Sequence, residues 1–242
     1  MHKFITPPWP APAHVHALTT TRAMGFFSQR GADNNALLLQ QLLNNQQTLQ
    51  ATLALPRAPY WLQQVHGIDV IQLGAQQTHS CIADGAYTFT PDMICAVTTA
   101  DCLPVFLTDR QGTQVAVLHA GWRGLAAGII EQGVKAFAKP QNLLAWLGPA
   151  IGPTVYQVGD EVREQFLKFD AQAATAFLPS NNQRWLANLY LLAKQRLTAC
   201  GVNQVYGGNH CTFTESDLFF SYRREKDTGP IGMASLIWLS LA

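Results

Sequence analysis

The sequence predicts one domain of α+β, mixed α/β type that spans residues 1–242. Short apolar runs of strand length alternate with segments whose apolar residues recur every three or four positions. No linker and no change of composition divides the chain, so one core is favoured over two. With 48% apolar and 13% charged residues, the chain has ample material for a sizeable core.

The first hundred residues contain a predicted helix and three predicted strands. The helix covers Leu37–Gln50, where apolar residues recur at helical spacing among glutamines and asparagines. Tyr60–Leu62 and Asp69–Leu73 have the composition of strands, and they flank a turn at His66–Gly67. Met93–Val97 is a continuous apolar run, which is typical of a buried strand.

A strand followed by a helix is predicted near the middle of the chain. Gln114–Leu118 is a short apolar run of strand type. Gly121 and Gly124 then open a helix that continues through Ala126–Ala138 and stops before a proline, which cannot continue it.

The remaining elements include two strands, a loop and two helices. Leu143–Leu147 reads as a strand, and the prolines and glycines of Gly148–Pro153 predict a rigid loop after it. Asp160 is expected to cap a helix that runs to about Phe169, and Met233–Leu241 is strand-like. A further helix is predicted from apolar residues that step by three or four along the chain: Leu186, Leu189, Ala193 and Leu197.

Charge and cysteine content limit the possible partners and compartment. Sixteen Lys and Arg against fifteen Asp and Glu give a formal charge of +1, without the basic excess of a nucleic-acid-binding protein. No run of apolar residues suits a signal peptide or approaches the roughly 20 needed to span a bilayer. Five cysteines do not resemble the dense framework of a small secreted domain. We therefore expect a cytoplasmic protein that binds neither nucleic acid nor membrane.

Three residues in separate segments are of types that bind zinc: His66, Cys102 and His119. Each lies at a predicted turn or just after a predicted strand, and loops above a rigid sheet can bring distant residues together. Two imidazoles and one thiolate would form a zinc site with a fourth position for water or substrate. Spacing alone favours a structural role, because a histidine at a strand end is more often simply hydrogen-bonded.

Cys102 allows two further interpretations. It can be a small buried apolar residue, which is the commonest fate of such a cysteine. It can also be a nucleophile activated by His119, as in a Cys/His amide hydrolase that forms an acyl-enzyme. His66 helps to separate these possibilities, because zinc uses it as a third ligand whereas a Cys/His pair needs only an orienting partner.

An ordered set of motifs covers most of the chain after residue 60: Trp61–Gly67, Ala83–Asp84, Thr99–Val105, His119–Gly124, Leu147–Pro153, Val158–Gly159, Cys211–Thr212, Phe219–Arg224 and Met233–Leu239. This ordered set resembles the YfiH-type laccase-domain family. The family was formerly called multicopper polyphenol oxidases and is now described as purine nucleoside phosphorylases.

The resemblance implies a fold of α/β/β/α layers and a Zn²⁺ site on His66, Cys102 and His119. It also implies phosphate-dependent cleavage of adenosine, inosine, guanosine or methylthioadenosine, with adenosine deaminase activity in addition. The ligands would be a purine nucleoside and phosphate. Members of the family are also linked to correcting misincorporated residues in peptidoglycan precursors, which corresponds to the amide-hydrolase alternative.

Two other metal-based interpretations are weaker. A copper-dependent polyphenol oxidase would need several coppers, whereas one cysteine and two histidines offer a single site. A structural zinc or interaction module would use four protein ligands, and the sequence has no clear fourth.

Two carboxylates and three arginines complete the predicted site. Asp84 and Asp101 are expected to act as acid or base, although each could instead be a turn or cap residue. Arg22, Arg123 and Arg223 are expected to contact phosphate or substrate, since a guanidinium fits an oxyanion with two hydrogen bonds. An ordinary ion pair is the alternative for each arginine.

The chain departs from the family pattern in two places. Ala23–Ser28 leads quickly to Gly31–Asn34, where the family has a longer segment, so we expect a shortened substrate-facing loop. Pro230–Met233 stands where the family has Thr-Gly-Arg-Met, so an arginine expected near Gly232 is absent. The second change predicts a lower affinity for phosphate or substrate.

Overall fold

The computed structural model describes residues 2–29, 32, 35–74, 81–225 and 228–241. Its strands in chain order are β1 (Phe4–Ile5), β2 (Val15–Thr20), β3 (Tyr60–Trp61), β4 (Val70–Gln72), β5 (Gly85–Thr88), β6 (Cys95–Thr99), β7 (Leu103–Asp109), β8 (Val115–Ala120), β9 (Leu143–Leu147), β10 (Gln157–Val158), β11 (Phe177–Ser180), β12 (Arg184–Ala187), β13 (Gln204–Gly207) and β14 (Met233–Leu239). Its α-helices are α1 (Ala36–Thr52), α2 (Trp122–Ala127), α3 (Ile129–Lys135), α4 (Asp160–Leu167), α5 (Leu189–Ala199) and α6 (Tyr222–Glu225). Short 3₁₀ helices cover Arg22–Met24, Pro140–Asn142 and Ala171–Ala176.

Two mixed sheets form the centre of the fold. One has the strand order β1-β2-β14-β6-β3, in which the β3 and β6 pair is parallel and the other pairs are antiparallel. The other has the order β13-β9-β7-β8-β5-β4, with a parallel pair at each edge. A smaller antiparallel sheet has the order β10-β12-β11.

Strand β6 shows how the two large sheets pack. Successive side chains of a strand point to opposite faces of its sheet. Cys95 and Val97 share one buried cluster with Phe106 of β7 and Val117 of β8, so this face meets the six-stranded sheet. Ala96, between them, packs on the other face in a cluster with Leu49 of α1. Helix α1 therefore covers the outer face of the five-stranded sheet.

Helices also cover the outer face of the six-stranded sheet. Leu118 of β8 belongs to a buried cluster with Ile130 of α3 and Leu197 of α5. Helix α3 approaches the sheet closely, because a Cβ atom on Gly133 would lie 2.5 Å from Leu118 Cδ1. The order of layers is helix, sheet, sheet, helices, which confirms the mixed α/β class and the α/β/β/α arrangement.

Most predicted elements are present, and three details were wrong. The helix expected over Ala126–Ala138 is divided into α2 and α3 by Gly128, whose φ of 110° lies in the left-handed region. Gly159, rather than Asp160, is the N-cap residue of α4. Leu186 lies in β12, so α5 begins three residues later than the apolar spacing predicted.

The described residues contain no helix that is both long and apolar enough to cross a membrane. All five cysteines of the chain are described, and each is a free thiol.

Candidate metal centre

Three segments bring the predicted zinc ligands together. His66 lies on the connection from β3 in one large sheet to β4 in the other. Cys102 immediately precedes β7, and His119 lies in the neighbouring strand β8, opposite Pro104 of β7. The antiparallel register therefore places Cys102 and His119 at the same end of the strand pair.

The ligand atoms of these residues are close enough to share one ion. One imidazole nitrogen each of His66 and His119, and Cys102 Sγ, all lie within 4.8 Å of one another. Cys102 Sγ is 3.9 Å from His66 Nε2. The two imidazole rings stand nearly perpendicular, at 81°, with their centroids 4.7 Å apart. Convergence of the triad, which spacing alone did not favour, is thus a feature of the fold.

Two glycines at the start of α2 leave room for this arrangement. A Cβ atom on Gly121 would lie 2.9 Å from Cys102 Sγ and 3.1 Å from His66 Cδ2. A Cβ atom on Gly124 would lie 2.6 Å from the carbonyl oxygen of Gly67. The glycines that follow His119 therefore bring α2 against the ligands without a side chain between them.

The Asp84 carboxylate organises two of the three ligands from behind. Its side chain is fully buried, and Oδ1 accepts hydrogen bonds from His119 Nδ1 at 2.7 Å and from the His66 N–H at 2.9 Å. Its Oδ2 accepts from the N–H groups of Gly67 at 2.6 Å and Val65 at 3.1 Å. These bonds hold His66 at a φ of 63° and leave His119 Nε2 as the ring nitrogen directed to a metal.

The same contacts shift the protonation equilibria of the site. Burial acts to raise the pKa of Asp84, but hydrogen bonding to His119, the charge on that ring and the turn N–H groups lower it overall. Burial also acts to raise the pKa of Cys102, but the neighbouring imidazoles lower it to about 6. Burial acts to lower the pKa of His119, whereas Cys102 and Asp84 raise it to about 9. A thiolate therefore faces an imidazolium at neutral pH when no metal is bound.

The donor set fits zinc. Neutral imidazole nitrogen and cysteine thiolate are zinc ligands, and three protein ligands are the usual number in catalytic zinc sites. The carboxylate that binds the far nitrogen of His119 is the common partner of a metal-binding histidine. His66, Cys102 and His119 would hold the ion, and a fourth position would remain for a ligand.

The triad opens into a cavity of about 670 Å³. This volume lies within the range of roughly 300–1,000 Å³ that is usual for small-molecule sites. Besides the triad, its wall includes Gln64, Thr98, Thr99, Asp101, Trp122, Arg123, Ile151, Tyr156, Leu189, Tyr222, Arg223, Ile231 and Gly232. Of the two predicted catalytic carboxylates, Asp101 reaches the cavity wall, whereas Asp84 lies behind His119.

Asp101 ties the Cys102 segment to the opposite side of the cavity. Its Oδ1 accepts a hydrogen bond from Thr212 Oγ1 at 2.6 Å, and its Oδ2 accepts one from the Arg223 N–H at 2.6 Å. Its φ of 88° is a costly conformation for a residue other than glycine. Three contacts fix this backbone, since the Asp101 carbonyl also accepts from the Ile151 N–H.

The three predicted arginines occupy different environments. Arg123 lies at the cavity wall with its guanidinium 4.4 Å from the Trp122 ring centroid, and it has no hydrogen-bond acceptor among the described residues. Arg223 also lines the cavity, and one of its Nη atoms donates to the Gln157 carbonyl at 3.1 Å. Arg22 is outside the described cavity wall and forms an ion pair with Glu225. The structure thus places two of the three arginines beside the triad.

Comparison with known proteins establishes the family. Residues 16–240 match a family model described as multi-copper polyphenol oxidoreductase laccase. The chain belongs to this laccase family. It is 48% identical over 249 residues to the purine nucleoside phosphorylase YfiH of Escherichia coli (strain K12), with 99% of this chain and 100% of that relative covered. A purine nucleoside phosphorylase of Haemophilus influenzae is 45% identical, with 97% and 98% covered.

Solved structures of similar proteins have the same fold. A crystal structure of a Neisseria meningitidis protein superposes with a TM-score of 0.91 at 39% identity, and it covers 99% of this chain and 100% of its own. The structure of YlmD from Geobacillus stearothermophilus gives a TM-score of 0.85 at 25% identity, with coverages of 99% and 97%. The resemblance to the YfiH-type laccase family is confirmed.

One of the two departures from the laccase family lies in the cavity. Ile231 and Gly232 line its wall where the family arginine was expected. Gly232 has a φ of 137°, and a Cβ atom there would lie 2.9 Å from Ser28 Cβ, so a larger residue does not fit this backbone. The predicted shortening after Ser28 concerns Gly31–Asn34, most of which lies outside the described residues.

Several cavity residues were not predicted as members of this laccase-family site. Trp122 is part of the His119–Gly124 motif, so its position after the ligand histidine was the available signal. Gln64 precedes His66, and its amide binds the backbone of Thr98 through bonds of 2.9 and 2.7 Å. Tyr156 follows the rigid loop Gly148–Pro153, and no local pattern marks it. Residues of this kind become visible only when separate segments fold together.

Proposed function

We propose that this chain is a zinc-dependent purine nucleoside phosphorylase. The observation that carries the proposal is the convergence of His66, Cys102 and His119 in a cavity that also contains Arg123 and Arg223. A soft metal site next to two guanidinium groups suits a reaction between a neutral ligand and an oxyanion. The names of the similar proteins, purine nucleoside phosphorylases from several bacteria, support the same reaction.

The substrates proposed are adenosine, inosine, guanosine or methylthioadenosine together with phosphate. Phosphorolysis requires the phosphate to be held against the anomeric carbon of the ribose, so that a new C–O bond replaces the bond to the purine. Arg123 and Arg223 are the groups that would hold the phosphate, because both guanidinium groups reach the cavity. Arg22 would contribute only if it left Glu225.

Zinc, when bound, would supply a concentrated positive charge that polarises an oxygen atom in the cavity. The protein residues around it have separate duties. Asp84 would orient His119 and the His66 turn, since both of its oxygens already accept hydrogen bonds there. Asp101 would transfer the proton, because it is the one of these two carboxylates that lines the cavity; Thr212 and the Arg223 N–H would hold it in place.

Two experiments test the proposal. Purified protein should contain about one zinc per chain, in accord with a single three-ligand site, and this zinc should be lost in a His66→Ala variant. Adenosine should then be incubated with and without phosphate and the products separated. Adenine and ribose 1-phosphate that form only with phosphate support phosphorolysis, whereas inosine supports the additional adenosine deaminase activity. The same incubation is repeated with inosine, guanosine and methylthioadenosine, and absence of products from all four nucleosides would refute the nucleoside function.

A second function is favoured by one specific observation. In the absence of metal, Asp84, His119 and Cys102 form a carboxylate–imidazole–thiol series, with the imidazole hydrogen-bonded to the carboxylate at 2.7 Å. The pKa of Cys102, lowered to about 6, would provide the thiolate that a cysteine hydrolase needs. An amidase activity that survives zinc removal but is abolished by a thiol-alkylating reagent would identify the chain as a Cys/His amide hydrolase.

Zinc is proposed in preference to copper because the described residues supply one group of suitable ligands, His66, Cys102 and His119. Four-electron oxidation chemistry of the polyphenol oxidase type needs several coppers. Metal analysis of protein expressed with both ions present distinguishes the two. A cytoplasmic location, predicted from the sequence, belongs to the same proposal.

A further inference from the structure

The hydroxyl group of Tyr156 has no hydrogen-bond partner among the described residues, although the tyrosine lines the cavity. Its side chain is nearly all buried, with 9% exposed. Its backbone is fixed, because its N–H donates to Gly152 at 3.1 Å and its carbonyl accepts from Ala187 at 2.9 Å. Because no group of the described residues uses this hydroxyl, it is available to bind a ligand in the cavity.

Two guanidinium groups share the cavity with this hydroxyl, as does the Asp101 carboxylate, whose two oxygens accept hydrogen bonds from Thr212 and the Arg223 N–H. Arg223 lies over the Tyr156 ring, with its guanidinium carbon 5.4 Å from the ring centroid. Arg123 lines the same cavity and has no acceptor among the residues described. Burial raises the pKa of the Tyr156 phenol, and the charge on Cys102 acts in the same direction. A protonated phenol can donate its O–H to an anion beside the two guanidinium groups.

We propose that Tyr156 is a third donor to the phosphate, giving a hydrogen bond from its hydroxyl to an oxygen of the anion held by Arg123 and Arg223. This inference rests on the proposed phosphorolysis and names how the site recognises its anionic substrate. No bond to Tyr156 forms or breaks. The contact would also offset the arginine missing near Gly232, where the backbone leaves no room for a side chain.

Tyr190 provides a matched comparison. It is a second buried tyrosine, but its hydroxyl accepts from the Ala150 N–H at 2.8 Å and donates to the His210 carbonyl at 2.6 Å. Its hydroxyl thus joins the loop Gly148–Pro153 to His210. Removing the Tyr156 hydroxyl should therefore affect phosphate binding and not stability, whereas removing the Tyr190 hydroxyl should lower stability.

The test compares Tyr156→Phe and Tyr190→Phe in the zinc-loaded protein. Tyr156→Phe should raise the KM for phosphate by about tenfold or more, the loss expected for one hydrogen bond to a charged group, and leave the KM for the nucleoside unchanged. The Kd for inorganic phosphate, measured by calorimetry without nucleoside, should rise by the same factor. Zinc content and unfolding temperature should stay at wild-type values, because no intramolecular bond is removed. Tyr190→Phe should lower the unfolding temperature.

Unchanged phosphate KM and Kd in Tyr156→Phe would overturn the inference, as would a change confined to the nucleoside KM. The two proposals remain distinguishable. If the wild-type protein binds phosphate but cleaves no purine nucleoside, the phosphorylase function fails, while the calorimetric Kd still decides the role of Tyr156. If the wild-type protein cleaves nucleosides and Tyr156→Phe does so with the same phosphate dependence, only the role of Tyr156 fails.

Discussion

Asp84 Oδ1 accepts a hydrogen bond of 2.7 Å from Nδ1 of His119, and both groups are almost completely buried. This single contact leaves Nε2 as the nitrogen of His119 that would bind a metal. Because the same carboxylate accepts hydrogen bonds from three N–H groups of residues 65–67, it also sets the position of His66. Both proposed imidazole ligands thus depend on one buried charge.

Replacing that carboxylate by its neutral isostere should weaken metal binding. In Asp84→Asn, the amide NH₂ must face either His119 or a turn N–H. A turn N–H cannot accept a hydrogen bond, and His119 Nδ1 can accept one only in the tautomer that protonates Nε2 and so blocks metal binding. We expect zinc affinity to fall about 10–100-fold, the usual cost of losing such a partner. Competition with a chromophoric chelator measures the change. Asp69→Asn, at an exposed carboxylate on the same connection, is the control, and equal affinities in the two variants would contradict the assigned role.

Loss of one ligand should abolish stoichiometric zinc binding. His66→Ala leaves only Cys102 and His119, and two ligands do not form a stable zinc site. Elemental analysis after purification should show nearly metal-free protein, with nucleoside cleavage reduced by at least about a hundredfold if the metal supplies several kcal/mol. His2→Ala is the control, because His2 is an exposed histidine just before β1, and this variant should retain its zinc. Full zinc content in His66→Ala would exclude the proposed triad.

Zinc binding should release a proton at neutral pH. The pKa of Cys102 is lowered to about 6 and that of His119 is raised to about 9, so without metal the first is a thiolate and the second carries a proton. Zinc must displace the His119 proton between these values, and below about 6 it must also displace the Cys102 proton. Zinc affinity should therefore rise with pH up to about 9, most steeply below about 6, and should level off above 9. Calorimetry in buffers of different ionisation enthalpy counts the protons, and zero release from this pair at pH 7 would contradict the geometry.

Removing a cavity arginine should weaken phosphate binding more than nucleoside binding. Arg123 has no acceptor among the residues that the structure describes, so Arg123→Ala breaks no internal hydrogen bond. We expect the KM for phosphate to rise about tenfold or more, because a charge-assisted contact is lost. Steady-state kinetics with either substrate varied would separate the two KM values. Arg110→Ala, at an exposed arginine after β7, should behave as wild type.

The sequence predicted the layers of the fold because each layer has a local cause. Apolar runs such as Met93–Val97 and Leu143–Leu147 became buried strands, and the spacing in Leu37–Gln50 became α1. The break at Gly128 was missed because glycine inside an apolar helical pattern costs only about 1 kcal/mol and does not by itself end a helix.

The metal triad was predictable only in part, and the residues behind it less so. Spacing left His66, Cys102 and His119 undecided, and the ordered motifs gave the expectation that the fold then met. Asp84 was predicted as an acid or base, and its hydrogen bonds behind His119 were not foreseen. These contacts depend on the register that places β5 beside β8, a pairing no local pattern reveals. The position of Tyr156 in the cavity likewise depends on tertiary packing, because its backbone hydrogen-bonds to Gly152 and Ala187 and Arg223 lies over its ring.

A methyl group at Gly121 should disturb the metal site while leaving the fold intact. The Cβ atom of Gly121→Ala would lie 2.9 Å from Cys102 Sγ, which is too close, and 3.1 Å from His66 Cδ2, which is a tight contact. The backbone at Gly121 has a φ of −63°, so alanine meets no conformational penalty there and any effect comes from these two contacts. The ligand side chains must then move apart, and zinc affinity should fall about tenfold or more, as for a displaced partner of a metal ligand.

Gly74→Ala is the matched control because a Cβ atom at that position meets nothing within 4 Å. With cobalt in place of zinc, the thiolate charge-transfer band should shift in Gly121→Ala and stay in place in Gly74→Ala. Identical spectra and affinities would mean that Cys102 and His66 do not bind the metal together.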